Sequence, residues 1–217
     1  MRADTGGHRY VVVEGPIGVG KTSFARRLAE DWGGELMLEG ADANPFLERF
    51  YQDPKAVALP TQLYFLYQRA AQIQALRQSD MFASPVRVAD FLLEKDRLFA
   101  ALNLDEHELN LYEQAWSHLS LDAPRPDLVV YLQAPVSVLM DRIQRRGIAW
   151  ERAITPDYLH RLVDAYTRFF HHYEQAPLLI VNTTDINPVE READYRLLLD
   201  QLRQIRSGRH YFNPSPI

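Results

Sequence analysis

An uninterrupted segment near the start of the chain has the spacing G-x-x-x-x-G-K-[ST] of a phosphate-binding loop: Gly15-Pro16-Ile17-Gly18-Val19-Gly20-Lys21-Thr22. Glycines let backbone N–H groups turn toward an anion, and the start of a following helix adds partial positive charge. Lys21 is spaced to reach the β- and γ-phosphates, and the Thr22 hydroxyl to ligate Mg²⁺. This segment, together with Ser23, predicts binding of a nucleoside triphosphate and Mg²⁺.

The elements on either side of the loop suit this chemistry. Residues 10–14, Tyr-Val-Val-Val-Glu, have the composition of a short buried strand. Behind the loop, apolar residues recur at helical spacing, namely Phe24, Ala25, Leu28, Ala29 and Trp32. The motif is informative only between a strand and a helix, and both are predicted here.

Five short apolar strands alternate with helices along the chain. We predict strands at 10–14, 35–39, 86–90, 128–132 and 178–182. Helices are expected between them, including a long one over 60–78 and a closing one over 189–206. This order predicts an α/β fold with a five-stranded parallel sheet flanked by helices, and chemistry at the carboxyl ends of the strands.

Composition bounds the class of protein. The 217 residues suit one domain spanning 1–217, with residues 1–8 expected as a flexible tail rather than a signal peptide. A net charge of −5 gives no general attraction to a nucleic acid polymer or an anionic membrane. The chain has no cysteine and no apolar run near the roughly 18–20 residues of a membrane span. We therefore expect a cytoplasmic protein that binds small molecules.

A phosphate-binding loop alone does not separate GTPases from small-molecule kinases. The string at 182–185, Asn-Thr-Thr-Asp, resembles the guanine-reading N-K-x-D but lacks its lysine. The D-x-x-G string at 31–34 follows the loop too closely to sense a γ-phosphate. Three arginines within 142–146 could close over a transferred phosphate, or could equally form a solvated helix end. A kinase is favoured.

Dispersed motifs resemble those of the deoxynucleoside kinase family, among the thymidylate-kinase-like P-loop kinases, from about Tyr10 to about Asn187. The resemblance rests on five blocks: the loop itself, Asn44-Pro45-Phe46-Leu47 with Phe50-Tyr51, Gln62 followed by Arg69, Leu98-Phe99-Ala100, and the Arg142–Glu151 region. The second of these blocks is similar to bacterial, purine-preferring members. The resemblance implies a three-layer P-loop kinase fold, ATP as donor, a nucleoside-like acceptor and a homodimer formed through long helices.

The resemblance also implies a role for each matching residue. Glu39 would be the general base for the 5′-hydroxyl, and Lys21 would act with it in catalysis. A lid over about 142–155 would contribute Arg142 and Arg146 to the phosphates. On the acceptor side, Tyr51 and Glu151 would hold the sugar 3′-hydroxyl, Gln62 would read the base edge, Arg69 would orient carboxylates, and Asp90 would support both substrate and Mg²⁺.

Four positions depart from the family pattern. No arginine stands beside Asp90, and the base-reading aspartate corresponds, without gaps, to Lys95. Ile148 replaces the last lid arginine, and Gly40 replaces the proline that usually follows the base. An altered acceptor or slow turnover is therefore expected. Two alternatives stay open: a catalytically weak nucleotide-binding module serving regulation or interaction, and a nucleoside monophosphate kinase.

Overall fold

A computed structural model of the chain describes residues 4–78, 86–119 and 123–214. The strands are β1 (Tyr10–Glu14), β2 (Glu35–Met37), β3 (Arg87–Ala89), β4 (Leu128–Gln133), β5 (Leu178–Asn182) and β6 (Arg209–Phe212). They form one sheet in the order β2-β3-β1-β4-β5-β6, and every neighbouring pair is parallel. The predicted α/β class with a parallel sheet is confirmed.

Eight helices flank this sheet in the described part of the chain. They are α1 (Lys21–Trp32), α2 (Leu47–Gln52), α3 (Pro54–Gln78), α4 (Lys95–Asn103), α5 (Glu106–Leu119), α6 (Val136–Arg146), α7 (Pro156–His171) and α8 (Glu192–Gln204). Short 3-10 turns at Ala41–Ala43 and Ala149–Ala153 complete the elements. None of these helices is long and apolar enough to cross a membrane.

The sheet contains a sixth strand that the sequence pattern did not reveal. β6 has four residues, of which Arg209 and His210 are basic, and its two central side chains are exposed. An edge strand of this kind lacks the apolar run by which the five other strands were recognised. The predicted count of five was therefore one strand short.

Two elements near the site also differ in detail from the prediction. β2 ends at Met37 because the Leu38 carbonyl accepts a hydrogen bond from Gln72 Nε2 at 2.8 Å instead of joining the sheet. α3, Pro54–Gln78, joins two helical stretches across a kink at Val57, where φ is −139°, and the longer stretch follows this kink close to the predicted start at residue 60. Pro60 sits just beyond this kink because it has no N–H to donate to the preceding turn. Because β2 ends at Met37, Glu39 lies in a loop and not in a strand.

The core surrounds the central strands on both faces. Val11, Val12 and Val13 of β1 have no exposed surface, as expected for a parallel strand covered by helices on both sides. A smaller cluster of Leu66, Ala100 and Tyr112 is buried where α3, α4 and α5 meet. The two clusters hold α3 and α4 beside the carboxyl end of β1, where the phosphate-binding loop begins.

The segment expected as a flexible tail is described from residue 4, and residues 1–3 lie outside the described range. His8 is buried, and its Nε2 lies 3.0 Å from the carbonyl oxygen of Leu202 in α8. Gly6 also lies close to the backbone of Arg203, so that a Cβ at this glycine would come within 2.6 Å of the Arg203 carbonyl oxygen. Residues 4–8 thus pack against the last helix.

Candidate active site

The phosphate-binding loop leaves β1 and enters α1 directly, as its motif requires. Gly15 has φ 152°, and a Cβ there would lie 2.4 Å from the carbonyl oxygen of Leu132 in β4. Gly20, with φ 96°, takes a left-handed conformation immediately before Lys21, the first residue of α1. Glycine is required at both positions, by close approach in one case and backbone conformation in the other. The N–H groups at the start of α1 face the loop.

A cavity of about 380 Å³ opens beside this loop. Its walls come from the loop and α1, the segment after β2, helices α2, α3 and α4, and the chain following α6. Ten of the residues given a role from the sequence line it: Ile17, Lys21, Thr22, Ser23, Glu39, Tyr51, Gln62, Asp90, Arg146 and Glu151. Three positions that depart from the family pattern line it too: Gly40, Lys95 and Ile148. The structure therefore brings the predicted donor side and acceptor side to one space.

The Glu39 carboxylate is held between two cations. Its Oε1 accepts a hydrogen bond from Arg69 Nη2 at 2.9 Å, and its Oε2 accepts one from Lys95 Nζ at 2.8 Å. Arg69 is only 1% exposed and does not line the cavity; it lies behind Glu39. Because each oxygen has its own charged donor, the carboxylate is fixed in rotation about its last bond.

These cations decide the charge of Glu39. Burial alone would raise the pKa of the Glu39 carboxyl, but Lys95, Arg69 and Lys21 together hold that pKa well below its usual value of 4.5. Burial would also lower the pKa of Lys95, yet the carboxylates of Glu14 and Glu39 outweigh it and raise that pKa. Both groups are ionised at neutral pH, so a charged pair borders the cavity.

Asp90 links the phosphate-binding loop to Glu39. Its Oδ2 accepts a hydrogen bond from the Thr22 hydroxyl at 2.5 Å, and its Oδ1 accepts one from the Glu39 backbone N–H at 2.7 Å. A hydroxyl and a carboxylate in contact, both lining the cavity, are the hard oxygen ligands that Mg²⁺ prefers alongside phosphate oxygens and water. The donor set of Thr22 and Asp90 fits that ion.

Arg69 makes its second ion pair with Asp96, not with a residue at position 95. Arg69 Nε and Nη2 donate to the two Asp96 oxygens at 3.1 and 2.7 Å, and Asp96 lines the cavity. Lys95 itself is not acidic, as the sequence indicated, but a carboxylate is present one residue later in α4. Adjacent helical residues point about 100° apart, so Lys95 and Asp96 present opposite charges in different directions.

Part of the region expected as a lid lines the cavity. Arg146, at the end of α6, forms an ion pair with Glu151, which is 3% exposed. Trp150, which the sequence reading did not single out, stacks on Tyr51 with 5.3 Å between ring centroids and 14° between ring planes. Tyr51 and Glu151 thus lie on the same wall, and an aromatic side chain of the lid covers one of them.

Arg142 does not line the cavity. Its Nη1 donates to the Thr183 hydroxyl at 3.0 Å, and its Nη2 donates to the Thr183 carbonyl at 2.7 Å. Nη1 also reaches the carbonyl of Val19 in the phosphate-binding loop at 3.3 Å. Arg142 therefore ties α6 and that loop to the chain after β5. Its position differs from that of Arg146, although the sequence suggested one role for both.

Glu14 is a buried acid that sequence reasoning missed. It is 1% exposed at the end of β1, with Lys95 Nζ at 3.6 Å and the Tyr166 hydroxyl at 3.4 Å from its carboxylate. Burial, partly offset by Lys95 and Lys21, raises the pKa of Glu14 to about 7. The sequence did contain a signal for this buried acid, namely a carboxylate at the end of an otherwise apolar strand, directly before the phosphate-binding loop.

Comparison with known proteins identifies the family. The profile of the deoxynucleoside kinase family matches residues 11–206, a range that includes every residue of the candidate site described in this subsection. The chain belongs to the deoxynucleoside kinase family. It is 30% identical over 177 residues to a deoxyguanosine kinase of Bacillus subtilis, covering 81% of this chain and 86% of that protein. It is 31% identical over 189 residues to a deoxyadenosine kinase of Lactobacillus acidophilus, covering 80% and 85%.

Solved structures agree on the architecture of this kinase family member. A deoxyadenosine kinase from M. mycoides, with bound dATP, superposes with a TM-score of 0.78 over 91% of this chain and 100% of that chain, at 23% identity. Membership of the deoxynucleoside kinase family sets the GTPase alternative aside. The string at 182–185 has a local explanation, since Asn182 Oδ1 accepts hydrogen bonds from the Thr184 N–H and hydroxyl at 3.0 and 2.6 Å.

Proposed function

We propose that this deoxynucleoside kinase transfers the γ-phosphoryl group of ATP to the 5′-hydroxyl of an ordinary purine deoxynucleoside, with Mg²⁺. The observation that carries the proposal is the shared cavity, which both Glu39 and the phosphate-binding lysine, Lys21, line. The names of the relatives, deoxyguanosine kinase and deoxyadenosine kinase, support a purine acceptor. The ion pairs of Lys95 and Asp96 favour an ordinary acceptor over the altered one expected from the sequence.

In the proposed reaction, Glu39 accepts the proton of the 5′-hydroxyl while that oxygen attacks the γ-phosphorus. The bond from phosphorus to the β,γ-bridging oxygen breaks, and ADP leaves with that electron pair. Lys21 and the lid arginine Arg146 bring positive charge to the phosphates. Thr22 and Asp90 would hold Mg²⁺, which neutralises phosphate charge when bound. Arg142 would secure the donor side by fixing the chain after β5.

Gln62 is the residue proposed to recognise the base. It is 3% exposed and lines the cavity, and within the described ranges no hydrogen bond engages its side-chain amide. An amide offers a donor and an acceptor side by side, which suits the edge of a purine. The Gln62 amide is not among the fully buried polar atoms that lack a partner, so it is open to the cavity and available to a bound base.

We expect Gln62→Leu to raise the KM for the purine deoxynucleoside about 10- to 100-fold, because the substitution removes one or two hydrogen bonds to the base. The KM for ATP should change less than threefold. The measurement is ADP formation with deoxyadenosine, deoxyguanosine, deoxycytidine and thymidine as acceptors. Gln74→Leu, an exposed position on the same helix, is the control. ATP binding without transfer to any nucleoside would instead support the nucleotide-binding module.

We extend the proposal to a homodimer formed through α3 and α5. These helices contact each other and leave Tyr67 and Leu111 exposed by 56% and 50%. Sedimentation equilibrium should give twice the chain mass of 25.1 kDa, and Tyr67→Glu should shift it toward one chain because a charge would be buried at the contact. Tyr211→Glu, at a residue 64% exposed on β6, should leave the dimer intact. A monomeric wild type would contradict this part.

A further inference from the structure

The chain contains three lysines among its 24 basic residues, and two of them face the cavity. Lys21 belongs to the phosphate-binding loop, and Lys55 is exposed on α3. Lys95 is 5% exposed at the first position of α4. A buried ammonium loses its hydration, so its position must be supported by specific charged partners.

Lys95 forms ion pairs with two carboxylates at different distances. Its Nζ lies 2.8 Å from Glu39 Oε2 and 3.6 Å from Glu14 Oε1. The first is a charge-assisted hydrogen bond and the second a longer ion pair. Because Arg69 takes the other Glu39 oxygen, removal of Lys95 would leave that carboxylate with a single tether. The geometry makes Glu39, rather than Glu14, the principal partner.

Lys95 and Lys21 line the same cavity. Burial lowers the pKa of the Lys21 ammonium, and the next largest cause of that lowering is repulsion from Lys95. Two ammonium groups that border one cavity and repel each other create a site that favours a multiply charged anion. A phosphoryl group passing from the loop toward Glu39 would relieve this repulsion.

We propose that Lys95 takes the place of the arginine that this chain lacks beside Asp90: it positions the Glu39 carboxylate and supplies positive charge to the transferred phosphoryl group. The inference rests on the proposed function. A cation at Lys95 explains why Phe91, rather than an arginine, can follow Asp90 in this chain. Phe91 instead packs under Arg69, with the guanidinium carbon 4.4 Å from its ring centroid. The charge comes from the start of α4 rather than from the residue after the acid.

The test is the kinetics of Lys95→Met and Lys95→Arg, measured with ATP and the best purine deoxynucleoside. Lys95→Met keeps the length of the side chain without its charge. It should lower kcat about 100-fold while the KM for ATP changes less than threefold. Lys95→Arg keeps a charge and should retain a larger kcat than Lys95→Met. Lys55→Met is the matched control at an exposed lysine and should be unchanged.

A double variant separates this role from a structural one. Lys95→Met leaves Glu14 and Glu39 without their common cation, so its melting temperature should fall. Glu14→Gln combined with Lys95→Met should recover stability but not kcat. Recovery of kcat in the double variant would show that Lys95 only neutralises Glu14, and would overturn the inference. If the wild type is active and Lys95→Met has the same kcat, the inference about Lys95 is overturned and the proposed function stands. A wild type inactive on every nucleoside would overturn the proposed function with it.

Discussion

Lys21→Met is expected to lower kcat by about 1000-fold or more, because phosphoryl transfer depends almost entirely on positioning and on charge stabilisation. Lys21 is buried at the start of α1 and lines the cavity with Thr22. Methionine has nearly the same length, so the change removes the charge and leaves the packing. The measurement is ADP formation at saturating ATP and nucleoside, beside a melting curve of each protein.

The structure predicts that this variant will still fold. Burial and Lys95 lower the pKa of Lys21 against the opposing pull of Glu39, Glu14 and Asp90, so the folded protein already bears a cost for this ammonium. Lys55→Met provides the control for loss of a lysine as such. A Lys21→Met protein that retains a tenth of the wild-type kcat would refute the assignment of the phosphate-binding loop as the donor site.

Features that depend on spacing within one segment were predictable. The loop from Gly15 to Thr22 is read from consecutive residues, and its strand and helix begin where the apolar pattern changes period. The same holds for Gln62 and Arg69, which lie seven residues apart on α3, close to two helical turns. Local geometry is sufficient in these cases, since no distant part of the chain decides the direction of the side chains.

Features that depend on how segments meet were not predictable. Glu39 and Asp90 follow strands β2 and β3, which are neighbours in the sheet, but the strand order is set by packing of the whole domain. The first turn of α4 likewise decides that Lys95 contacts Glu39 and that Asp96 contacts Arg69. A shift of one residue in that turn would reverse their roles. The contact of Arg142 with Thr183 likewise joins residues 41 positions apart.

Glu39→Gln is expected to lower kcat about 1000-fold while ATP affinity changes less than threefold. An amide of the same shape can accept a hydrogen bond from the 5′-hydroxyl but cannot take its proton, and general base catalysis commonly contributes 100- to 10,000-fold. Single-turnover measurements would isolate the chemical step, and ATP binding would be titrated separately. Glu48→Gln, at an exposed position of α2, is the control.

The charges around Glu39 predict which step of the reaction the Glu39→Gln substitution should slow. Because Lys95, Arg69 and Lys21 hold the pKa of Glu39 well below 4.5, the carboxylate is a weak base in the free protein. It can take a proton efficiently only as the new bond to phosphorus makes the 5′-hydroxyl acidic, so its contribution belongs to the transfer step and not to ATP binding. Its ionised form persists until the pH falls through that lowered pKa, so titration of Glu39 should cause no loss of kcat between pH 8 and 5. Equal losses of transfer and ATP affinity in Glu39→Gln would refute the base assignment.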